Sequence, residues 1–260
     1  VKFIRDHQNE PFFIYLPHSA VHFPHYPSPD FVGKSGGELY NDWAMEVDAS
    51  TGQVLDALRE LKLDERTLVI FTSDNGGPIN QGATNTPLRG SKNSTWEGGV
   101  RVCTIAWWPG HVPANTSTAA ITTMMDVLPT LASLAGASLA PNRKIDGVDQ
   151  SPVLSGSAPA APLRDTFHYF RGMKLEAVRR GDWKLHLDKG ELYHLGRDIA
   201  EADNVAQKHP DVVRDLRALA ESMDSDLGVE SQGPGVRPLG HVDNPQPLIA
   251  RDGEIRKGFE

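Results

Sequence analysis

Leu68-Val69-Ile70-Phe71-Thr72-Ser73-Asp74-Asn75-Gly76-Gly77 decides how this chain is read. Its first half is β-branched and aromatic, the composition of a strand buried on both faces, as in a parallel sheet. Its second half sets a carboxylate, an amide and two glycines directly after that strand, at the carboxyl edge where open α/β sheets hold their ligands. Asp74 offers an anionic oxygen and Asn75 a neutral one, both suited to a hard cation such as Ca2+ or Mg2+. Gly76 and Gly77 let the backbone turn sharply and approach a ligand. Asp-Asn-Gly alone is an ordinary turn, so the surrounding segments carry the rest of the argument.

Upstream, Pro11-Phe12-Phe13-Ile14-Tyr15-Leu16 reads as a second apolar strand, followed by a loop bounded by prolines that holds His18, His22 and His25. Between the two strands, Leu39 to Leu61 spaces Tyr40, Trp43, Ala44, Val47, Val54, Leu55 and Leu58 near the helical period. A strand, an amphipathic helix and a strand predict a right-handed crossover and a parallel sheet. Downstream, Pro87-Leu88-Arg89-Gly90-Ser91-Lys92 puts a lysine in a loop flanked by glycine, ahead of Trp96-Glu97-Gly98-Gly99-Val100-Arg101. Val102 to Trp107 reads as a further strand closed by Pro109-Gly110, and Asp126 to Ala135 as a helix with Pro129 in its first turn.

Taken in order, Phe-Phe-x-Tyr, His-x-x-x-His-x-Pro, Thr-Ser-Asp-Asn-Gly, Gly-x-Lys-x-x-x-x-Glu-Gly-Gly-x-Arg, Trp-Trp-Pro-Gly and Asp-x-x-Pro-Thr-Leu resemble the formylglycine-dependent sulfatases. The resemblance runs from about Pro11 to Asn204 and is strongest to the arylsulfatase A and N-acetylgalactosamine-6-sulfate sulfatase branch. It implies an alkaline-phosphatase-like α/β fold and hydrolysis of a small-molecule or sugar sulfate ester. It further implies Asp74 and Asn75 as metal ligands, Ca2+ with Mg2+ as the alternative. Lys92 becomes a contact to the sulfate and the leaving oxygen, and His22 a second contact or the proton donor. Histidine suits that step because imidazole exchanges its proton near neutral pH. The periplasm or cell exterior follows from the resemblance alone.

One part of the family pattern is absent. The nucleophile is a cysteine in Cys-x-Pro-Ser-Arg, oxidised to formylglycine, whereas the one cysteine here, Cys103, precedes Thr104-Ile105-Ala106. With Val1 as its first residue, the chain reads as the carboxyl-terminal half of a longer sulfatase-like protein, without sulfatase activity as it stands. The formylglycine belongs to the missing amino-terminal half.

Residues 1–160 are expected to form the carboxyl-terminal half of the catalytic α/β domain. Within it, Glu97 and Arg101 read as a salt-bridged anchor around the Gly98-Gly99 turn, and Trp107 and Trp108 as core or rim packing. Asn93-Ser94-Thr95 is a glycosylation sequon whose glycan would obstruct a cleft beside Lys92. The stretch from Leu139 to Pro162, rich in Ala, Ser, Gly and Pro, reads as a surface connection. Residues 161–228 are expected to form a small α+β subdomain: strands at 166–170, 176–179, 183–187 and 191–194, covered by a helix over 211–226. Residues 229–260 read as an extended tail.

With 39% hydrophobic and 23% charged residues, the chain has an ordinary globular composition. A net charge of −8 and the lack of a basic cluster with interleaved aromatics argue against nucleic acid as a partner, and no apolar run approaches a membrane span. Two rival readings remain. Gly33-Lys34-Ser35-Gly36-Gly37 fits the Gly-x-Ser-x-Gly elbow, which would make Ser35 the nucleophile of a carboxylic or phosphate ester hydrolase, with His22 or another histidine as base and an Asp to orient it. The preceding Ser28-Pro29-Asp30-Phe31-Val32 is a loop, however, where an elbow needs a strand. The third reading is an inactive half with unpaired strand edges that associates with itself or with the missing amino-terminal half.

Overall fold

The computed structural model describes residues 1–157, 160–229, 232–236, 240–250 and 253–257. Helix α1 (Lys2–Asp6) packs on α2 (Leu39–Glu60), the amphipathic helix expected from the spacing. Ile4, Leu58 and Leu63 form a buried cluster, and Phe12, Val54, Val69 and Trp107 close around it. Each such side chain contributes about 1.5–3 kcal/mol on burial. The helix stops where Lys62 turns left-handed (φ 56°) and the Leu63 N–H reaches back 2.8 Å to the Leu58 carbonyl, which satisfies an otherwise orphaned acceptor.

Strand β1 (Val69–Thr72) is the run that opened the sequence reading. The chain then turns through α3 (Glu97–Val100) and returns as β2 (Thr104–Trp107), with Val69 opposite Trp107 and Thr72 opposite Thr104. This pairing is antiparallel, which corrects the expected parallel arrangement for these strands. The crossover from Pro11–Leu16 is also absent among the described residues: that segment forms no strand, only Phe12 packs inward, and Phe13 and Tyr15 are 71% and 75% exposed. A parallel strand exists only with a neighbour laid beside it, and the described residues supply none here.

A 3₁₀ turn at Met124–Asp126 leads into α4 (Val127–Leu134), with Pro129 in its first turn as expected. Asp126 is its organiser, accepting hydrogen bonds from the N–H groups of Thr123 and Val148, both at 2.8 Å, and from Arg164 Nη2 at 2.6 Å. A short helix, α5 (Ser151–Leu154), interrupts the stretch read as a plain connection.

The last sheet is a four-stranded antiparallel meander of β3 (Thr166–Arg171), β4 (Lys174–Arg180), β5 (Trp183–His186) and β6 (Glu191–His194). Its first two hairpins turn over two residues each, with Gly172 and Gly181 at positive φ, the geometry that matches strand twist. Helix α6 (Pro210–Asp224) lays Leu216 and Ala220 on Leu175, Val178, Leu185 and Leu192 to form a second core. These elements agree with the expected small sheet and helix to within two residues at each end. Beyond them, Ile249 and Ile255 form an isolated bridge.

Candidate active site

The loop after β1 and the loop bearing Lys92 are bound together by backbone contacts that only glycine permits. Gly76 N–H donates to the Gly99 carbonyl at 3.0 Å, and a Cβ on Gly76 would fall 1.9 Å from Gly98 O. Asn85 joins the same two loops. Its Oδ1 accepts from Gly77 N–H at 2.8 Å, while its Nδ2 donates to the carbonyls of Gly77 at 2.8 Å and Gly90 at 3.2 Å. The backbone N–H of Lys92 reaches Gly77 O at 3.3 Å, which fixes the base of the lysine.

Lys92 and His22 line one cavity of about 450 Å³, together with Phe23, Pro78, Ile79, Asn80, Gln81, Ser91 and Asn93. His22 Nδ1 sits 2.7 Å from the Phe23 carbonyl. A carbonyl only accepts, so Nδ1 carries the proton of the neutral ring and Nε2 is the nitrogen left for chemistry. Asp74 and Asn75 lie outside the cavity lining, at the start of the turn whose continuation, from Pro78 onward, forms one wall. Asp74 is exposed and Asn75 half-buried. His18 is exposed in the same loop as His22, while His25 packs edge-on against Phe23, Tyr40 and Trp43. Asn93 faces the cavity, so a glycan there would fill it.

The donor set of Asp74 and Asn75 fits a hard divalent cation in kind, being two oxygens with no sulfur or imidazole. Among the described residues no three His, Cys, Asp or Glu side chains gather as a metal cluster. These two oxygens therefore amount to part of a shell of about six to eight ligands.

Behind the Lys92 loop lies a buried ionic network that sequence reasoning did not find. Lys184, on β5, is fully buried and donates from Nζ to Thr95 O at 2.7 Å and Glu97 Oε1 at 2.9 Å, with Glu201 Oε1 also at 2.9 Å. Three acceptors match the three protons of an ammonium. Glu201 also accepts from Glu97 N–H at 2.7 Å and lies 3.0 Å from His186 Nε2. Burial opposes ionisation of Glu201, but His186, Lys184 and the Glu97 N–H outweigh it and hold its pKa below the ordinary value. Trp96 lies against His186 with ring centres 3.8 Å apart and planes tilted by 35°, and the Arg89 guanidinium sits 3.8 Å from the Trp96 ring centre. Glu97 is thus the expected loop anchor, but its cations are Lys184 at 2.9 Å and Arg179 at 3.9 Å, and not Arg101.

The elbow reading of Ser35 does not survive the geometry. Its hydroxyl donates to Asp42 Oδ1 at 2.6 Å, and Asp42 also accepts from the N–H groups of Gly33 at 2.7 Å and Ser35 at 2.8 Å. The Ser35 hydroxyl, followed by those two amides, holds the Asp42 carboxyl below its usual range. Residues 29–32 are turn, with no strand ahead of the serine. Ser35 closes the loop onto α2, and its hydroxyl proton is directed at a carboxylate and not at a histidine.

The sulfatase family profile matches residues 1–137, and the chain belongs to the sulfatase family. It is 38% identical over 205 residues to N-acetylgalactosamine-6-sulfatase of Canis lupus familiaris, covering 75% of this chain and 38% of that protein. It is 40% identical over 188 residues to human arylsulfatase A, covering 69% of this chain and 36% of that one. A solved Bacteroides thetaiotaomicron protein from a locus for metabolism of multiple glycosaminoglycans superposes with a TM-score of 0.75 at 31% identity, over 86% of this chain and 52% of that chain. The architecture is the alkaline-phosphatase-like α/β fold of sulfatases, with the small antiparallel sheet and helix following it. The chain spans about half or less of the length of these relatives.

Proposed function

We propose that this chain carries the leaving-group side of a sulfate-ester hydrolase, with residues 1–160 forming part of the catalytic domain, residues 161–228 a subdomain that buttresses it and residues 229–260 a tail. The observation that supports this best is the cavity shared by His22 and Lys92, whose wall continues from the Asp74-Asn75 turn. As the S–O bond breaks, negative charge collects on the bridging oxygen. The Lys92 ammonium faces that charge. The His22 ring is held by its Nδ1–H on the Phe23 carbonyl; as the imidazolium, with a second proton on Nε2, it gives that Nε2 proton to the departing alcohol and returns to the neutral ring.

Asp74 and Asn75 would hold Ca2+, with Mg2+ the alternative, and a bound cation supplies Lewis-acid polarisation of the sulfate oxygens. The nucleophile is not among these 260 residues, since Cys103 stands outside any Cys-x-Pro-Ser-Arg segment. We assign the formylglycine to the polypeptide that completes the fold. The exposed Phe13, Tyr15 and Leu16 fit a surface that further strands would cover. Sugar sulfates are the substrate class favoured by the named relatives.

The test is turnover of 4-nitrophenyl sulfate by this chain joined to an amino-terminal half with a Cys-x-Pro-Ser-Arg segment. The reading requires activity that falls at least ~100-fold in Lys92→Ala. Activity indifferent to both Lys92→Ala and His22→Ala overturns it.

A further inference from the structure

The loop that presents Lys92 is fastened at both ends to one residue, Glu201, in the turn after β6. At the near end Arg89 Nη1 donates to the Glu201 carbonyl at 2.8 Å. At the far end the Glu97 N–H donates to Glu201 Oε2 at 2.7 Å. Lys184 strengthens the far hold, with Nζ 2.9 Å from Glu201 Oε1 and bonded to Thr95 O at 2.7 Å. Lys92 lies in the span between these anchors, and its own backbone N–H makes only a long bond, 3.3 Å, to Gly77 O.

The backbone of Glu201 is unusual for its residue type. It is left-handed, with φ 50°, and the residue is 0% exposed. Glycine would adopt that conformation freely, whereas a residue with a Cβ is strained there, and such strain gathers at working sites. The turn is imposed by Asp198, whose carboxylate accepts from the N–H groups of Ala202 at 2.8 Å and Asp203 at 2.9 Å. In return the turn directs both the side chain and the carbonyl of Glu201 onto the lysine loop. The core of the last sheet does not call for this, since Leu175, Val178, Leu185, Leu192, Leu216 and Ala220 close it without Glu201. Resting on the sulfate-ester reading above, we infer that Glu201 is a positioning residue for Lys92: by holding Arg89 and Glu97 in one grip, it sets where the lysine ammonium meets the sulfate.

Inorganic sulfate titrated into the ¹⁵N-labelled chain tests this, with the Lys92 amide shift reporting affinity and its order parameter reporting motion. Glu201→Gln keeps the shape but replaces a carboxylate oxygen with an NH₂ that cannot accept a hydrogen bond. Arg89→Ala opens the near end at an exposed side chain, so the test holds even where the buried variant does not fold. Leu216→Val thins the second core and touches neither hold, which makes it the control for stability alone. Sulfate should bind about tenfold more weakly in Glu201→Gln and about threefold more weakly in Arg89→Ala, because a contact to a displaced ammonium weakens steeply. In both, the Lys92 order parameter should fall below about 0.6 while that of Val178 stays near 0.85. Leu216→Val should match the parent in both readouts. Unchanged sulfate affinity in either loop-hold variant overturns the role of Glu201 and leaves the sulfate site standing, as does an equal loss in Leu216→Val. A parent that binds no sulfate removes the anion site itself, and the positioning role with it.

Discussion

Lys184 Nζ lies 2.9 Å from Glu97 Oε1 although the two side chains are 0% and 2% exposed, and this pair ties the last sheet to the loop that presents Lys92. Buried ion pairs owe little to their net energy and much to the cost of leaving either partner alone. Lys184→Ala should therefore destabilise the chain by about 3–5 kcal/mol, read from the urea midpoint. Lys184→Met combined with Glu97→Gln and Glu201→Gln should recover most of that loss. A single variant as stable as the parent would contradict the network.

Acid should act through the same network. The Glu201 pKa is depressed in the fold, so its stabilisation is complete above the unfolded value near 4.5 and is lost as pH falls through the lower, folded value. Urea midpoints measured from neutral pH down through that range should drop more steeply for the parent than for Glu201→Gln. Parallel profiles would remove Glu201 from the account.

Asn85 and Asn80 make a matched pair. Asn85→Ala breaks three partly buried hydrogen bonds and should cost about 1–3 kcal/mol. Asn80→Ala breaks none and should stay within about 0.5 kcal/mol of the parent. Thermal melts of the two variants check the difference.

Exposed apolar side chains on the unpaired 11–17 segment should drive association. The chain should sediment above its monomer mass, and Phe13→Ser with Tyr15→Ser should return it to monomer. A parent that is already a compact monomer would count against a surface awaiting partners.

The sequence showed the meander and α6 clearly because alternating runs were punctuated by Gly172 and Gly181, and because Leu216 and Ala220 kept helical phase. Periodicity also located α2. It could not reveal pairing direction: Leu68 to Phe71 reads as buried wherever its neighbour runs, and β1 took an antiparallel one. His22 and Lys92 were named from ordered motifs, and the fold places both on one cavity. Lys184 was invisible for a different reason. A lysine between Trp183 and Leu185 looks like the solvent face of a strand until Glu97 and Glu201, distant in the chain, arrive beside it. Asn85, in a stretch of Thr, Asn and Pro, looked like loop filler for the same reason.

The most direct test of the central claim is a sulfate titration of the ¹⁵N-labelled chain, following the His22 ring nitrogens and the Lys92 backbone amide. The account requires both to shift along one saturable curve, with His22 losing its response in Lys92→Ala. Shifts confined to other surfaces, or a His22 response indifferent to Lys92, would contradict a shared anion site.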